Sequence, residues 1–304
     1  MNSTAHRLKK VSRQAIRSLQ KKHKVSLSKS CQMLGVSRQA IYQAEDRFRA
    51  KQPIFDQVIK LVHQVRCKMP RIGTRKLYFL LKDSFISQGI KVGRDALFDL
   101  LRSRRLLVTR QKSYTKTTNS KHWLKKHPNL YSGRPFKQPE QAFVSDITYL
   151  KTRSGTHYLS LVTDAYSRKI MGYHLSNDMM SETVVKALKM ALANRITSQA
   201  AIHHSDRGLQ YASGLYQKIL NNAGIKPSMT DGYDCYQNAL AERVNGILKQ
   251  EFFLHPCNTF KELQKQVKES VAIYNEERPH LMLNMQSPNE VHNKACELTL
   301  TGSR

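Results

Sequence analysis

Phe143-Val144-Ser145-Asp146-Ile147-Thr148-Tyr149 is the stretch on which the fold turns. β-Branched and aromatic residues fill it, a composition that suits a pleated, half-buried surface. The strand read there covers Ala142 to Lys151, with one acid inside it. Toward the C-terminus, His157 to Thr163 and Ile170 to Leu175 read as two further strands, joined by a turn at Asp164 to Lys169. Ser181 to Asn194 follows as an amphipathic helix with Val184, Leu188 and Leu192 on one face. A short strand (Ala201 to His204), a helix (Ser213 to Asn222) and another strand (Ile225 to Met229) come next. Two helices follow, Asn238 to Phe252 and Phe260 to Glu276. A hairpin-rich start followed by strand–helix alternation predicts an α/β fold, a mixed sheet with helices packed on it.

Upstream of this region the chain changes character. Residues 127–139 hold three prolines and a glycine with no helical period, and read as a linker. Residues 1–138 carry 33 Lys and Arg against 6 Asp and Glu, an excess of +27, whereas residues 139–304 carry 18 against 16. The whole chain of 304 residues has a formal charge of +29. An excess of this size, confined to one half, points to a polyanionic partner, and the phosphate backbone of DNA is the usual one. The five cysteines are scattered and form no Cys-x-x-Cys pair, which argues against a disulfide framework or a zinc ribbon. No apolar run is long enough to span a membrane and no apolar leader follows the basic N-terminus. A cytoplasmic, nucleoid-associated protein is the expectation.

Within the basic half, residues 27–48 read as a helix-turn-helix. Cys31 and Leu34 face inward, Gly35 supplies the turn, Val36 packs beneath it, and Ser37 caps a second helix whose inner face is Ile41, Glu45 and Phe48. Arg38, Gln39 and Tyr42 then lie where a recognition helix meets base edges. The alternative is a helical hairpin that only packs against its neighbours. A second basic pair of helices runs from Thr74 to Leu81 and from Arg94 to Leu101. Arg71, Arg75, Lys76, Arg94, Arg104 and Arg105 decorate this region and suit phosphate contacts. The expected division is therefore 1–50 helix-turn-helix, 51–126 second helical DNA-binding region, 127–139 linker, 140–295 α/β core and 296–304 tail.

Three acids in the second half stand at positions where α/β folds build sites. Asp146 is inside the first strand, Asp206 just past a short one, and Glu242 early in a helix. Carboxylates are the donors that hard Mg²⁺ prefers, and two such ions about 4 Å apart can serve phosphodiester chemistry. Asp164, Asp178, Asp231 and Asp234 read instead as cap or turn residues. His203 and His204 are open to either a supporting or a packing role, and Arg278 and His280 to either DNA contact or helix capping.

Four segments in order sharpen this reading. They are residues 143–149, then His204-Ser205-Asp206-Arg207-Gly208-Leu209-Gln210-Tyr211, then Asn238-Ala239-Leu240-Ala241-Glu242-Arg243-Val244-Asn245-Gly246-Ile247-Leu248-Lys249, and Tyr274-Asn275-Glu276-Glu277-Arg278-Pro279-His280 followed by Ser287-Pro288. Residues 142–290 resemble the ribonuclease H-like, retroviral-integrase-like catalytic core of the IS-three family of insertion-sequence transposases. Thirty-five residues separate Asp206 from Glu242, the spacing this family shows.

The resemblance implies that Asp146, Asp206 and Glu242 are both the catalytic residues and the ligands of two Mg²⁺ (or Mn²⁺) ions. It implies that Lys249, seven positions beyond Glu242, contacts transposon-end DNA. It also implies double-stranded DNA as substrate and target, an assembly of at least two protomers, and a companion protein from an upstream reading frame. Tyr236-Gln237 stand where much of the family has Trp-Asp. Two other functions fit parts of the pattern: a DNA-binding regulator with an inactive core, and a nuclease acting on RNA–DNA hybrids.

Overall fold

The computed structural model describes residues 15–109, 123–132, 135–231, 238–253 and 257–301. The chain divides into two compact units at His63/Gln64. In the first, helix α1 (residues 15–23), α2 (Leu27–Met33) and the start of α3 (Arg38–Lys68) surround a small core of Ile16, Cys31 and Ile41, edged by Leu27 and Val36. Ser26 caps α2 by accepting from Lys29 N–H, and Ser37 caps α3 by accepting from Ala40 N–H at 3.2 Å. Between them Gly35 takes the left-handed conformation (φ +63°) that ends α2. Leu34 and Phe48 were expected inside but are 37% and 51% exposed. Three short helices supply too little surface to cover every apolar position on the stripe.

The expected boundary at 50/51 lies in the middle of α3, which continues through Pro53 to Lys68. A proline inside a helix removes one backbone hydrogen bond, and α3 tolerates the loss. From Gln64 onward α3 belongs with the second unit. Helices α4 (Thr74–Ser87) and α5 (Arg94–Ser103) pack together through Leu77, Leu81, Phe85, Leu97, Leu100 and Leu101, all buried.

The second unit is built on a five-stranded sheet in the order β3-β2-β1-β4-β5. Its strands are β1 (Ala142–Thr152), β2 (Gly155–Asp164), β3 (Ile170–Ser176), β4 (Ala201–Ser205) and β5 (Ile225–Met229). The first three form an antiparallel meander, and β4 and β5 run parallel to β1. Helix α6 (Ser181–Ala193) makes the crossover from β3 to β4. It packs so closely on β3 that a Cβ at Gly172 would lie 2.1 Å from the Ala187 carbonyl oxygen. Helices α7 (Leu209–Ala212) and α8 (Gly214–Asn222) lead into β5. On this face Phe143, Val162, Met171, Val184, Leu188, Tyr216, Leu220 and Ile225 form the main core. The other face carries α9 (Ala239–Ile247), with Ala142, Val144, Ala165, Ile202 and Ala241 at the contact. Helix α10 (Phe260–Glu276) and α11 (Pro288–Thr301) complete the unit. This mixed sheet with helices on both faces is the expected ribonuclease H-like arrangement.

Two other expected segments differ. Residues 127–139 are not a free tether: Leu130, Tyr131 and Phe136 pack on the core, and Leu130 N–H donates to Ser228 Oγ at 2.8 Å. The tail read at 296–304 begins inside α11, where Cys296 is buried. Tyr236, Gln237, Asp234 and most of the basic stretch after Thr109 lie outside the described residues.

Candidate active site

β4 runs beside β1 with Phe143 opposite His203 and Val144 opposite His204. Continued by two residues, this register brings Asp206 level with Asp146. Alternate residues share a face, so both acids lie on the side of the sheet that carries α9. Helix α9 supplies the third acid through a stripe at 238, 242, 245 and 249, whose spacings of four, three and four keep one face of a helix toward the sheet. Asn238 Nδ2 donates to the Ser145 carbonyl at 3.0 Å and Asn245 Nδ2 to Asp146 Oδ2 at 2.7 Å. Between these two anchors stands Glu242.

The three expected carboxylates are brought together. Burial, then Asp206 and Glu242, push the Asp146 carboxyl up to about 7. Burial and Asp206 raise Glu242 as well. Gly208 N–H holds Asp206 Oδ1 at 2.9 Å, and a Cβ at Gly208 would come within 3.0 Å of that oxygen. All three donors are hard oxygens, and their mutual repulsion is what a divalent cation relieves. Asn245 Oδ1, next to the pair it organises, is buried without a protein partner. The residues present therefore fit Mg²⁺ or Mn²⁺.

Beyond Ile247, α9 widens into a π-helical turn, Leu248–Phe252. Lys249 sits in it, half-buried, its pKa lowered by burial and raised by Asp146. The turn is clamped from below. Arg278, 1% exposed, donates to both carboxylate oxygens of Glu251 at 2.8 and 2.7 Å. Lys76 of α4 lies 3.7 Å from the same carboxylate, and Arg71 N–H donates to the Glu251 carbonyl at 3.3 Å. Lys76 is thus buried against the core, where desolvation and Arg278 push its pKa down to about 8. It was expected on a DNA-facing surface. The Glu251 carboxylate favours the charged lysine, but burial and the neighbouring Arg278 outweigh it.

The other basic candidates are placed differently. Arg38, Gln39, Tyr42, Arg75, Arg94, Arg104 and Arg105 are exposed. Arg94 pairs with Asp95 at 2.9 Å, and Arg71 is half-buried, donating to the Thr109 carbonyl. His203 and His204 are packing groups. His203 Nε2 meets Ser145 Oγ at 2.7 Å and Tyr216 Oη at 2.9 Å, and burial pushes its pKa down to about 3. His204 stacks on Tyr131 (4.8 Å) and meets Ser228 Oγ through Nδ1 at 2.9 Å.

The sequence reading missed two features. The supporting role of Asn238 and Asn245 was available from their spacing around Glu242. Asp164, read as a turn residue, is fully buried and accepts from Glu140 N–H, Ser167 N–H and Ser167 Oγ.

The integrase core domain family matches residues 137–235 and, through a second description of the same name, 223–288. The insertion element IS600 uncharacterized 31 kDa protein of Shigella sonnei is 36% identical over 85% of this chain and 95% of its own length. The putative transposase of insertion sequence IS986/IS6110 from Mycobacterium tuberculosis is 33% identical over 59% of this chain and 65% of its own. Among solved structures, the HTLV-2 integrase catalytic core domain in complex with magnesium aligns over 51% of this chain and 98% of its own. The identity there is 18% and the TM-score 0.42. Near-complete coverage of an insertion-element protein, together with integrase-core matches across the whole sheet region, places the chain in the integrase-core family of insertion-sequence transposases.

Proposed function

We propose that this protein is a transposase of the IS-three type that binds the terminal inverted repeats of an insertion sequence, cleaves DNA at those ends and joins them to new DNA. The observation that supports this reading is the electrostatic coupling of Asp146, Asp206 and Glu242. They come from a central strand, a neighbouring strand end and a helix start. Two Mg²⁺ or Mn²⁺ ions held there would supply activation of the attacking oxygen and stabilisation of the leaving one.

Water or a terminal 3′-hydroxyl attacks phosphorus in line. The new P–O bond forms as the P–O3′ bond breaks, the attacking oxygen gives up its proton, and the 3′-oxygen takes one. No side chain becomes covalently linked to DNA. Asn245 fixes the rotamer of Asp146 and Gly208 N–H that of Asp206. Lys249, close enough to sense Asp146, meets the phosphate of the bound end. The exposed cations of the helix-turn-helix and of α4 and α5 position the duplex. Two ends must be held at once, so the working form is an assembly of at least two protomers. An upstream-frame companion protein contributes to it.

The test uses full-length protein, duplex carrying the element's ends, and Mg²⁺. Asp206→Asn and Glu242→Gln are expected to abolish cleavage and joining while end binding persists. Cleavage by either variant removes the catalytic assignment. Wild-type protein that binds ends but never cuts them favours a regulator with an inactive core, and hydrolysis of RNA–DNA hybrid without joining favours a hybrid nuclease.

A further inference from the structure

A second cluster of ligating side chains lies apart from the triad, where α11 meets the turn before β1. Glu140, His292 and Cys296 each offer a ligand atom, and the three atoms lie within 4.8 Å of one another. His292 and Glu140 are completely buried and Cys296 is 2% exposed. His292 and Cys296 are one turn apart on α11, so both project from one face of the helix toward Glu140. His292 Nε2 lies 3.4 Å from Glu140 Oε1, a separation two ligands of one small cation show, yet it has no hydrogen-bond partner. The opposite nitrogen is occupied: Nδ1 meets Ser167 Oγ at 3.0 Å and lies 3.7 Å from Asp164 Oδ2. This is how a metal-binding histidine is oriented, with one nitrogen bonded to a neighbour and the other free to ligate.

Glu140 is similarly prepared. Oε2 accepts from Thr197 N–H and Oγ and lies 3.8 Å from Arg195 Nε, while Oε1 accepts from Ile196 N–H at 2.7 Å and faces His292 Nε2 at 3.4 Å.

From this arrangement we propose that Glu140, His292 and Cys296 form a structural site for Zn²⁺ that ties α11 to the sheet, independent of the triad. Imidazole, thiolate and carboxylate are the donor set of a borderline cation; Mg²⁺ at the triad calls for oxygen alone. Ligation releases one proton from the thiol and, where the imidazole is charged, one from Nε2, both to solvent. Where the imidazole is charged, one divalent cation replaces two protons and the charge balance with Lys169 and Arg195 nearby is unchanged; where it is neutral, the site gains one positive charge.

The experiment titrates metal-stripped, full-length protein with Co²⁺ under reducing conditions, because cobalt–thiolate ligation gives a charge-transfer band that oxygen ligands do not. Saturation at one equivalent is expected, with the band lost in Cys296→Ser, retained in Asp146→Asn, and bleached by one equivalent of Zn²⁺. Zn²⁺ is also expected to raise the melting temperature of wild type by several degrees and of Cys296→Ser not at all. Absence of the band in wild type overturns the proposal, as does a band that survives Cys296→Ser, since the thiolate would then be another cysteine. Neither result bears on strand cleavage, so this site and the transposase reading fail separately.

Discussion

His203 is a residue whose chemistry can be read out through stability. Its ring is held neutral by burial, with a pKa near 3 against about 6.5 for an exposed histidine. Below pH 6.5 the unfolded chain takes up a proton at this position and the folded chain does not. Its contribution to stability is therefore intact above pH 6.5 and is lost as pH falls from there toward 3. The variant His203→Gln keeps a polar group but cannot titrate. It is expected to be less stable than wild type at pH 7.5, yet to lose stability more slowly on acidification. The difference in slope is at most about 1.4 kcal/mol per pH unit. Urea unfolding at pH 7, 6, 5 and 4 checks this, and equal slopes would remove His203 as the cause. His280, pushed down to about 2 by burial and then by Arg278, adds a similar slope to both proteins and cancels in the comparison.

Helix α9 and its π-turn are held by an ion pair that sequence could suggest only in part. Arg278 was visible as a motif residue, but its partner Glu251 lies 27 positions earlier and carries no local signal. Removing one member of a buried pair strands the other, at about 3–5 kcal/mol. Glu251→Ala is expected to destabilise the second unit by about that amount. The double variant Glu251→Ala, Arg278→Met should recover part of the loss, and denaturant unfolding of the two singles and the double gives the coupling. Additive losses would show that the pair is not coupled.

The same contrast runs through the other elements. β1 was legible because β-branched and aromatic residues fill it, and α6 because its apolar residues repeat at the helical period. The convergence of Asp146, Asp206 and Glu242 could be anticipated because each acid sits inside a quotable motif. The full length of α3 was not, because Pro53 looks like a terminator and only packing decides otherwise. Nor was the Glu140–Asp164–His292 cluster, assembled from a turn, a strand end and a distant helix. Long-range pairs of this kind leave no periodicity to read.

For the molecule as a whole, charge of opposite sign is concentrated in different stretches of sequence: an excess of +27 in residues 1–138, and three mutually repelling carboxylates at the site proposed to receive the phosphate. Phosphate contacts release counterions, so end-DNA affinity should fall by about 0.9 log unit per log unit of salt for each phosphate neutralised. Arg75→Gln and Arg38→Gln should each reduce that slope by about one contact. The triad should act in the reverse sense. In chelator, with no cation between carboxylate and phosphate, Asp146, Asp206 and Glu242 repel the backbone. Asp206→Asn is then expected to bind ends more tightly than wild type, with the advantage shrinking as Mg²⁺ is added. Filter binding of both proteins across a salt series, with chelator and with Mg²⁺, tests the two halves together. A salt-independent affinity would remove the phosphate-binding role of the basic half. Equal affinities of wild type and Asp206→Asn in chelator would mean that the carboxylates do not face bound DNA.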